Sequence, residues 1–350
     1  METMKAVVYR GHETIELTDR PIPTLLAPED AIVRVTRSTI CSSDLHILHG
    51  SVPRAKEGII LGHEFVGVVT AVGENVKKRR VGERVAVNVE TFCGDCFYCR
   101  RGYVNNCEHG GWELGCRIDG CQAEYVRVPM ADQGLHPIPQ SVSDEDALLV
   151  GDVLSTGYWA AQIGEIEPAS AVAVLGAGPT GLCTMMCARL YSPACIIAVD
   201  VNDERLAAAK ENGLCDVTLN PSRDDVEARI RALTDGRGAD RVFEVAGAKD
   251  TFETAWRIAR PSAIVVLVAL YAQAQSLPLH LMYGKNLTFK TGGVHANACG
   301  DILKLIQAGR LNTAPLLTHH APLNDALTGY RTFEAMRDGC IKWVITPYER

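Results

Sequence analysis

Cys93, Cys96, Cys99 and Cys107 stand in a Cys-x2-Cys-x2-Cys-x7-Cys run. Three thiolates spaced by three residues can wrap one ion, and the fourth closes the tetrahedron from the end of a short loop. The run therefore reads as a four-sulfur zinc site with no position left for water or substrate. Such an ion holds together a surface lobe with little apolar core of its own. The alternative for the same residues is a set of free or redox-active thiols. A second chemistry lies downstream in Gly176-Ala177-Gly178-Pro179-Thr180-Gly181, which follows the apolar run Ala171 to Leu175 and precedes a helical pattern. In that context the glycines allow a tight turn and close approach to a pyrophosphate, whose charge meets the helix N-terminus. Asp200 ends the next apolar run. Its carboxylate can accept both ribose hydroxyls and repels a 2′-phosphate, which favours NAD over NADP, although Arg205 tempers that argument and a solvated strand end is the plainer alternative.

A third group is dispersed: Cys41 in Cys-Ser-Ser-Asp-Leu-His, His63 and Glu64 in Gly-His-Glu, and Asp152 in Gly-Asp-Val-Leu-Ser-Thr-Gly. Spacing alone does not join them, and a packed thiol, a core histidine and a surface aspartate are the bland readings. Asp44, three residues beyond Cys41, is a candidate acceptor for His63, which would set its tautomer. Ser43 and His46 are three residues apart and share a face on a helical turn, which suits a proton relay as well as a helix cap and a solvated histidine.

The elements that must position these residues fall into two textures. The first 150 residues carry short β-branched runs, Met4 to Tyr9, Asp30 to Thr36, Gly67 to Val72 and Arg84 to Val89, punctuated by Gly, Pro and charged turns. That pattern predicts an irregular β body. From Ser170 the chain alternates: strand Ala171 to Leu175, helix Thr180 to Leu190, strand Cys195 to Asp200, helix Glu204 to Asn212. This predicts a doubly wound parallel sheet, with further strands at Arg241 to Val245, Ile264 to Leu270 and Leu287 to Lys290. The helical run Asp301 to Ala308 and the apolar Ile341 to Ile345 are expected to return to the first domain.

At 350 residues the chain exceeds one ordinary core, so two domains are expected. A net charge of −7 argues against nucleic acid or acidic membranes as partners. Lys77 to Arg80 reads as a solvated turn. Met1 to Arg10 lacks a signal-peptide core and the longest apolar run, Ala263 to Tyr271, is too short to span a bilayer, so a cytoplasmic protein is expected. Thirteen cysteines, an odd number, then predict thiols and metal ligands rather than a disulfide framework.

Taken in order along nearly the whole chain, these segments resemble the zinc-dependent medium-chain alcohol dehydrogenases. The resemblance implies a GroES-like catalytic domain over 1–153 and 294–350, enclosing a Rossmann domain over 154–293, with the active site in the cleft. It makes Cys41, His63 and Asp152 ligands of a catalytic zinc, Glu64 a nearby or intermittent fourth ligand, and the cysteine lobe the site of a second, structural zinc. Ser43 then bonds the substrate oxygen and His46 passes its proton toward solvent, while hydride goes to NAD. Many relatives carry cysteine where Asp152 stands; the aspartate resembles the bacterial secondary-alcohol and formaldehyde-dehydrogenase-like members. One thiolate, one carboxylate and one neutral imidazole still balance a divalent ion. Trp112, Tyr158, Val294 and His295 align with pocket-lining positions, and Gly292 and Gly293 with a passage near the nicotinamide. The implied function is interconversion of an alcohol, first a secondary one, with its carbonyl compound, by a homodimer or homotetramer. Formaldehyde-dehydrogenase-like, threonine and polyol dehydrogenases are the alternatives, followed by a zinc-free enone or quinone reductase and a non-catalytic redox sensor.

Overall fold

A computed structural model describes residues 2–348. The chain divides into two compact units, one of Met1–Ser155 with His295–Arg350 and the other of Thr156–Val294.

The first unit is built on a mostly antiparallel sheet. Its strands run in the order His319–Pro322, Trp343–Thr346, Ala31–Thr39, Phe65–Val72, Arg84–Val87 and Leu135–Pro137, and Tyr125–Val128 pairs beside Ala31–Thr39. Val33, Val35, Phe65, Val69, Val85 and Val87 are buried in one core, as the β-branched runs predict. The late strand Trp343–Thr346 does pair with Ala31–Thr39, which brings the C-terminal segment back to this unit. Lys77 and Lys78 lie between strands, their backbone N–H groups donating to Asp132.

Register decides what meets. Ser38 is the partner of Phe65 in the antiparallel pair. The segment leaving one strand, with Cys41, therefore lies beside the segment entering the other, with His63 and Glu64. Asp152 arrives by a separate close approach: Val89 N–H donates to Gly151 O at 3.0 Å. A Cβ on Gly151 would lie 1.8 Å from Val87 O, so only glycine lets the chain cross there.

The second unit holds a six-stranded parallel sheet in the order Val217–Leu219, Cys195–Val199, Ala171–Leu175, Ala239–Glu244, Ala259–Leu267 and Thr288–Thr291. In chain order this is 3-2-1-4-5-6, the Rossmann arrangement. Val172 to Leu175 and Ile196 to Val199 are buried, as expected of parallel strands covered on both faces. Among the described residues no helix is long and apolar enough to cross a membrane.

Candidate active site and metal centres

Cys41 caps the helix Ser42–Leu48, and the Asp44 carboxylate accepts from its backbone N–H at 2.9 Å. This local turn sets Cys41, Ser43 and His46 in sequence along one short helix. The Cys41 Sγ lies 3.8 Å from Ser43 Oγ and 3.6 Å from Asp152 Oδ2. His63 Nε2 lies 3.3 Å from the same Asp152 oxygen. One ligand atom each from Cys41, His63 and Asp152 fall within 4.8 Å of one another, so the fold joins residues that spacing leaves apart.

The other face of the imidazole meets Asp44, with Nδ1 3.3 Å from Oδ1. Both atoms are buried and lack an aligned hydrogen bond. Burial alone lowers the pKa of His63, but Asp44, Asp152 and Cys41 outweigh it and raise the pKa well above the ordinary value. A buried ring set among two carboxyl groups and a thiol, with one ligand atom of each of Cys41, His63 and Asp152 gathered together, marks a donor set fitted to a cation. Zinc would be held by Cys41 Sγ, His63 Nε2 and an Asp152 oxygen, leaving a position open.

Glu64 is not among the clustered ligand atoms. Its carboxylate is engaged by the Lys342 ammonium and the Thr39 hydroxyl, and Val153 N–H donates to it at 3.3 Å. Its carboxylate is thus held by a buried ion pair beside the cluster. Lys342 is itself fully buried, and Glu64 outweighs burial to raise its pKa above the ordinary lysine range. Gln122 completes the support by donating to Asp44 at 3.2 Å and accepting from the Tyr330 hydroxyl at 2.8 Å.

His46 is half-buried and its Nδ1 lies 3.1 Å from the hydroxyl of exposed Ser51. Burial, and then the neighbouring His49, lower its pKa. Trp112 lies edge-on to His63 with ring centroids 5.4 Å apart. Glu90 pairs across strands with Trp112, is 7 % exposed, and leaves Oε2 without a partner. Burial and the Asp152 charge raise its pKa to about 8 against the lowering effect of Arg54 and His63. His295 is turned to the cysteine lobe, its Nδ1 2.6 Å from Asn105 Oδ1 and its ring beside Tyr103.

Sequence reasoning missed Lys342, Gln122, Tyr330, Ser51, Arg54 and Glu90. Two had a visible signal: a lone lysine inside the apolar run Ile341 to Ile345, and a carboxylate ending the run Val85 to Val89.

In the lobe, the sulfurs of Cys93, Cys96, Cys99 and Cys107 also gather within 4.8 Å. Backbone N–H groups of Cys93 and His109 donate to Cys107 Sγ at 3.3 and 3.4 Å, and those of Asp95 and Cys96 to Cys93 Sγ at 3.4 Å. Hydrogen bonds aimed at sulfur suit thiolates under a metal.

In the second unit Gly176 has φ +105°, and a Cβ on Gly181 would lie 1.9 Å from Gly176 O. Pro179 opens the helix Pro179–Ala188 after Gly178, and Thr180 O accepts from the Thr184 hydroxyl one turn on. These positions form the cradle a pyrophosphate needs. Asp200 accepts from Ala177 N–H at 2.7 Å and from Asn202 N–H at 2.8 Å. A Cβ on Gly178 would stand 3.5 Å from Arg205 Nη1, so the guanidinium borders the same turn.

Residues 27–140 match the family model of the alcohol dehydrogenase GroES-like domain, and residues 179–307 that of the zinc-binding dehydrogenases. An alcohol dehydrogenase of Cupriavidus necator is 37 % identical over 99 % of both chains. This chain belongs to the zinc-dependent medium-chain alcohol dehydrogenases. The solved alcohol dehydrogenase TADH from Thermus sp. ATN1 is 36 % identical, covers 98 % of this chain with 99 % of its own, and has a TM-score of 0.90. An Escherichia coli CFT073 alcohol dehydrogenase complexed with the cofactor NADH is 29 % identical, covers 98 % of this chain with 99 % of its own, and has the same TM-score of 0.90. The protein is thus an NAD(P)-dependent zinc oxidoreductase that interconverts alcohols and carbonyl compounds, and its two ligand clusters fit a catalytic and a structural zinc.

Two zinc ions per chain are expected by elemental analysis of zinc-replete protein. Cys99→Ser should lose one ion together with several degrees of Tm, since structural zinc contributes directly to folding. Asp152→Ala should abolish turnover while the lobe ion and the Tm are largely kept. Equal loss of stability in both variants contradicts this division.

Proposed function

We propose that the enzyme oxidises a secondary alcohol, or reduces the matching ketone, with NAD as the preferred dinucleotide. In this reading Cys41, His63 and Asp152 hold the catalytic zinc, Ser43 and His46 move the proton, and Cys93, Cys96, Cys99 and Cys107 hold the structural zinc. The observation that carries it is the convergence of Cys41, His63 and Asp152 within 4.8 Å at the start of the helix bearing Ser43. When bound, the zinc polarises the carbinol oxygen and the nicotinamide accepts hydride.

The chain's own residues handle the proton. Ser43 stands beside the ligand cluster and takes the proton of the substrate hydroxyl as it passes its own onward. His46 follows on the same short helix, and its lowered pKa keeps the imidazole neutral at pH 7 and able to accept. Ser51, at 3.1 Å and exposed, gives that proton a way to solvent. Asp44 holds the His63 ring so that Nε2 is free to ligate.

Gly176, Gly178, Pro179, Thr180 and Gly181 receive the pyrophosphate, and Asp200 and Arg205 the adenosine ribose. The assembly is a homodimer or homotetramer; exposed Leu277, Leu279, Leu281 and Tyr283, just before the edge strand Thr288–Thr291, support a self-associating face. Thirteen cysteines, five of them in the zinc clusters, support a reducing, cytoplasmic setting.

NAD-linked oxidation of 2-butanol by zinc-replete protein, lost on chelation, tests the activity. In pH-rate profiles His46→Ala should be slower by about 10²-fold or less and recover with a small imidazole buffer, whereas Ser43→Ala should be slower still without recovery. An unaltered His46→Ala profile removes that histidine from the relay.

For the cofactor, kcat/KM with NAD should exceed that with NADP in the wild type. Asp200→Gly should narrow the ratio by about tenfold or more, equivalent to about 1.4 kcal/mol, with Arg205 left to meet the 2′-phosphate. An unchanged ratio means that Asp200 does not read the ribose.

A further inference from the structure

Beside the ligand cluster the first unit holds polar groups that a simple alcohol has no use for. Glu90 and Trp112 are cross-strand partners, so their side chains project from the same face of the short ribbon. The Trp112 ring abuts His63, and the guanidinium of exposed Arg54 lies over that ring at 5.1 Å. One N–H of that guanidinium is engaged by Cys116, and its other N–H groups remain for a ligand. Glu90 is more than nine-tenths buried and one of its carboxyl oxygens is unpartnered, in the region where it feels the charges of Asp152, His63 and Arg54. Burying a carboxyl without a hydrogen-bond partner is costly, and a ligand group that bonds it would offset that cost.

We propose that Glu90 and Arg54 form a subsite for a second hydroxyl group, which makes the preferred substrate a neutral vicinal diol or polyol oxidised at a secondary carbon. This rests on the reading that Cys41, His63 and Asp152 hold the reacting alcohol. The first oxygen of such a substrate is taken at the zinc ligands and Ser43. A neighbouring hydroxyl can donate to Glu90 and accept from Arg54 at once. Arg54 and the ligand His63 both lie against the Trp112 ring, 5.1 and 5.4 Å from its centroid, so the hydroxyl served is within a few carbons of the reacting centre. A carboxylate or phosphate on the substrate would suit Arg54 but would confront the Asp152 carboxylate, whose charge, added to burial, already holds the Glu90 carboxyl protonated near neutral pH. The charge balance therefore selects a hydroxyl over an anion. Sites built to bond a hydroxyl discriminate strongly against analogues that lack it, because their own polar groups are then left unpaired.

The test compares kcat/KM for 2,3-butanediol, 2-butanol and lactate, with NAD, in wild type, Glu90→Gln, Glu90→Leu and Arg54→Met, with zinc content and Tm measured on each. The wild type should favour the diol over 2-butanol by about 100-fold or more. That ratio should fall at least tenfold in Glu90→Leu and Arg54→Met and less in Glu90→Gln, which keeps a hydrogen-bonding side chain. Should Glu90→Leu fail to fold, Glu90→Gln and Arg54→Met carry the comparison. A wild type that treats diol and 2-butanol alike, or variants that leave the ratio where it was, overturns the subsite. A preference for lactate overturns it in favour of an anion site at Arg54. Zinc-dependent turnover of none of the three overturns the secondary-alcohol reading itself, and the subsite with it.

Discussion

The burial of several acidic groups within the first unit is the constraint on which the rest depends. Cys41, Asp44, Glu64, Glu90 and Asp152 are all buried or nearly so, and Lys342 is the buried ammonium among them. Desolvating a carboxylate costs several kcal/mol even after relaxation, so such a cluster is stable only if cations balance it. Lys342 neutralises Glu64. His63 lies between Asp44 and Asp152 but carries its second proton, and with it a positive charge, only while no metal claims its Nε2. A divalent ion on Cys41, His63 and Asp152 satisfies the remaining charge, and the same electrostatics that make the site unstable without a cation make it a strong ligand set.

The fold meets that constraint by placing each donor on a backbone segment with little freedom. The Ser38–Phe65 register brings the Cys41 and His63 segments together, and the Val87–Gly151 crossing, which leaves no room for a Cβ, delivers Asp152. Gly62, with φ +92° and a Cβ position only 2.5 Å from the Gln122 side chain, lets the His63 segment lie against Gln122. Gln122 in turn ties Asp44 to Tyr330. Rigid positioning of ligands by such outer contacts is what keeps a catalytic ion's geometry fixed through turnover.

The two zinc clusters differ in how their surroundings treat them. The lobe sulfurs receive backbone N–H groups from their own loop and have four protein donors, which closes the sphere. The second cluster has three donors, with Glu64 held by Lys342 and a hydroxyl and an imidazole close by on one helix. Structural and catalytic roles follow from donor number and from what lies beside the donors.

Features set by neighbours along the chain are legible in the sequence. The cysteine lobe, the glycine turn after an apolar strand and the alternation of strand and helix depend on spacing and period, and the strands Ala171–Leu175 and Cys195–Val199 lie within a residue of where that period puts them. What depends on segments far apart is decided only by the tertiary structure. Cys41 and Asp152 stand 111 positions apart, and no periodicity links them. The pairing of Glu64 with Lys342, 278 positions on, is likewise invisible along the chain. Glu90, unmarked beyond its place at the end of an apolar run, is turned inward beside Trp112 only by the pairing of the short ribbon. Burial and long-range charge exist only once the chain has closed on itself, and they determine which of the polar residues named by the sequence face a metal, which hold another residue, and which are left waiting for a ligand.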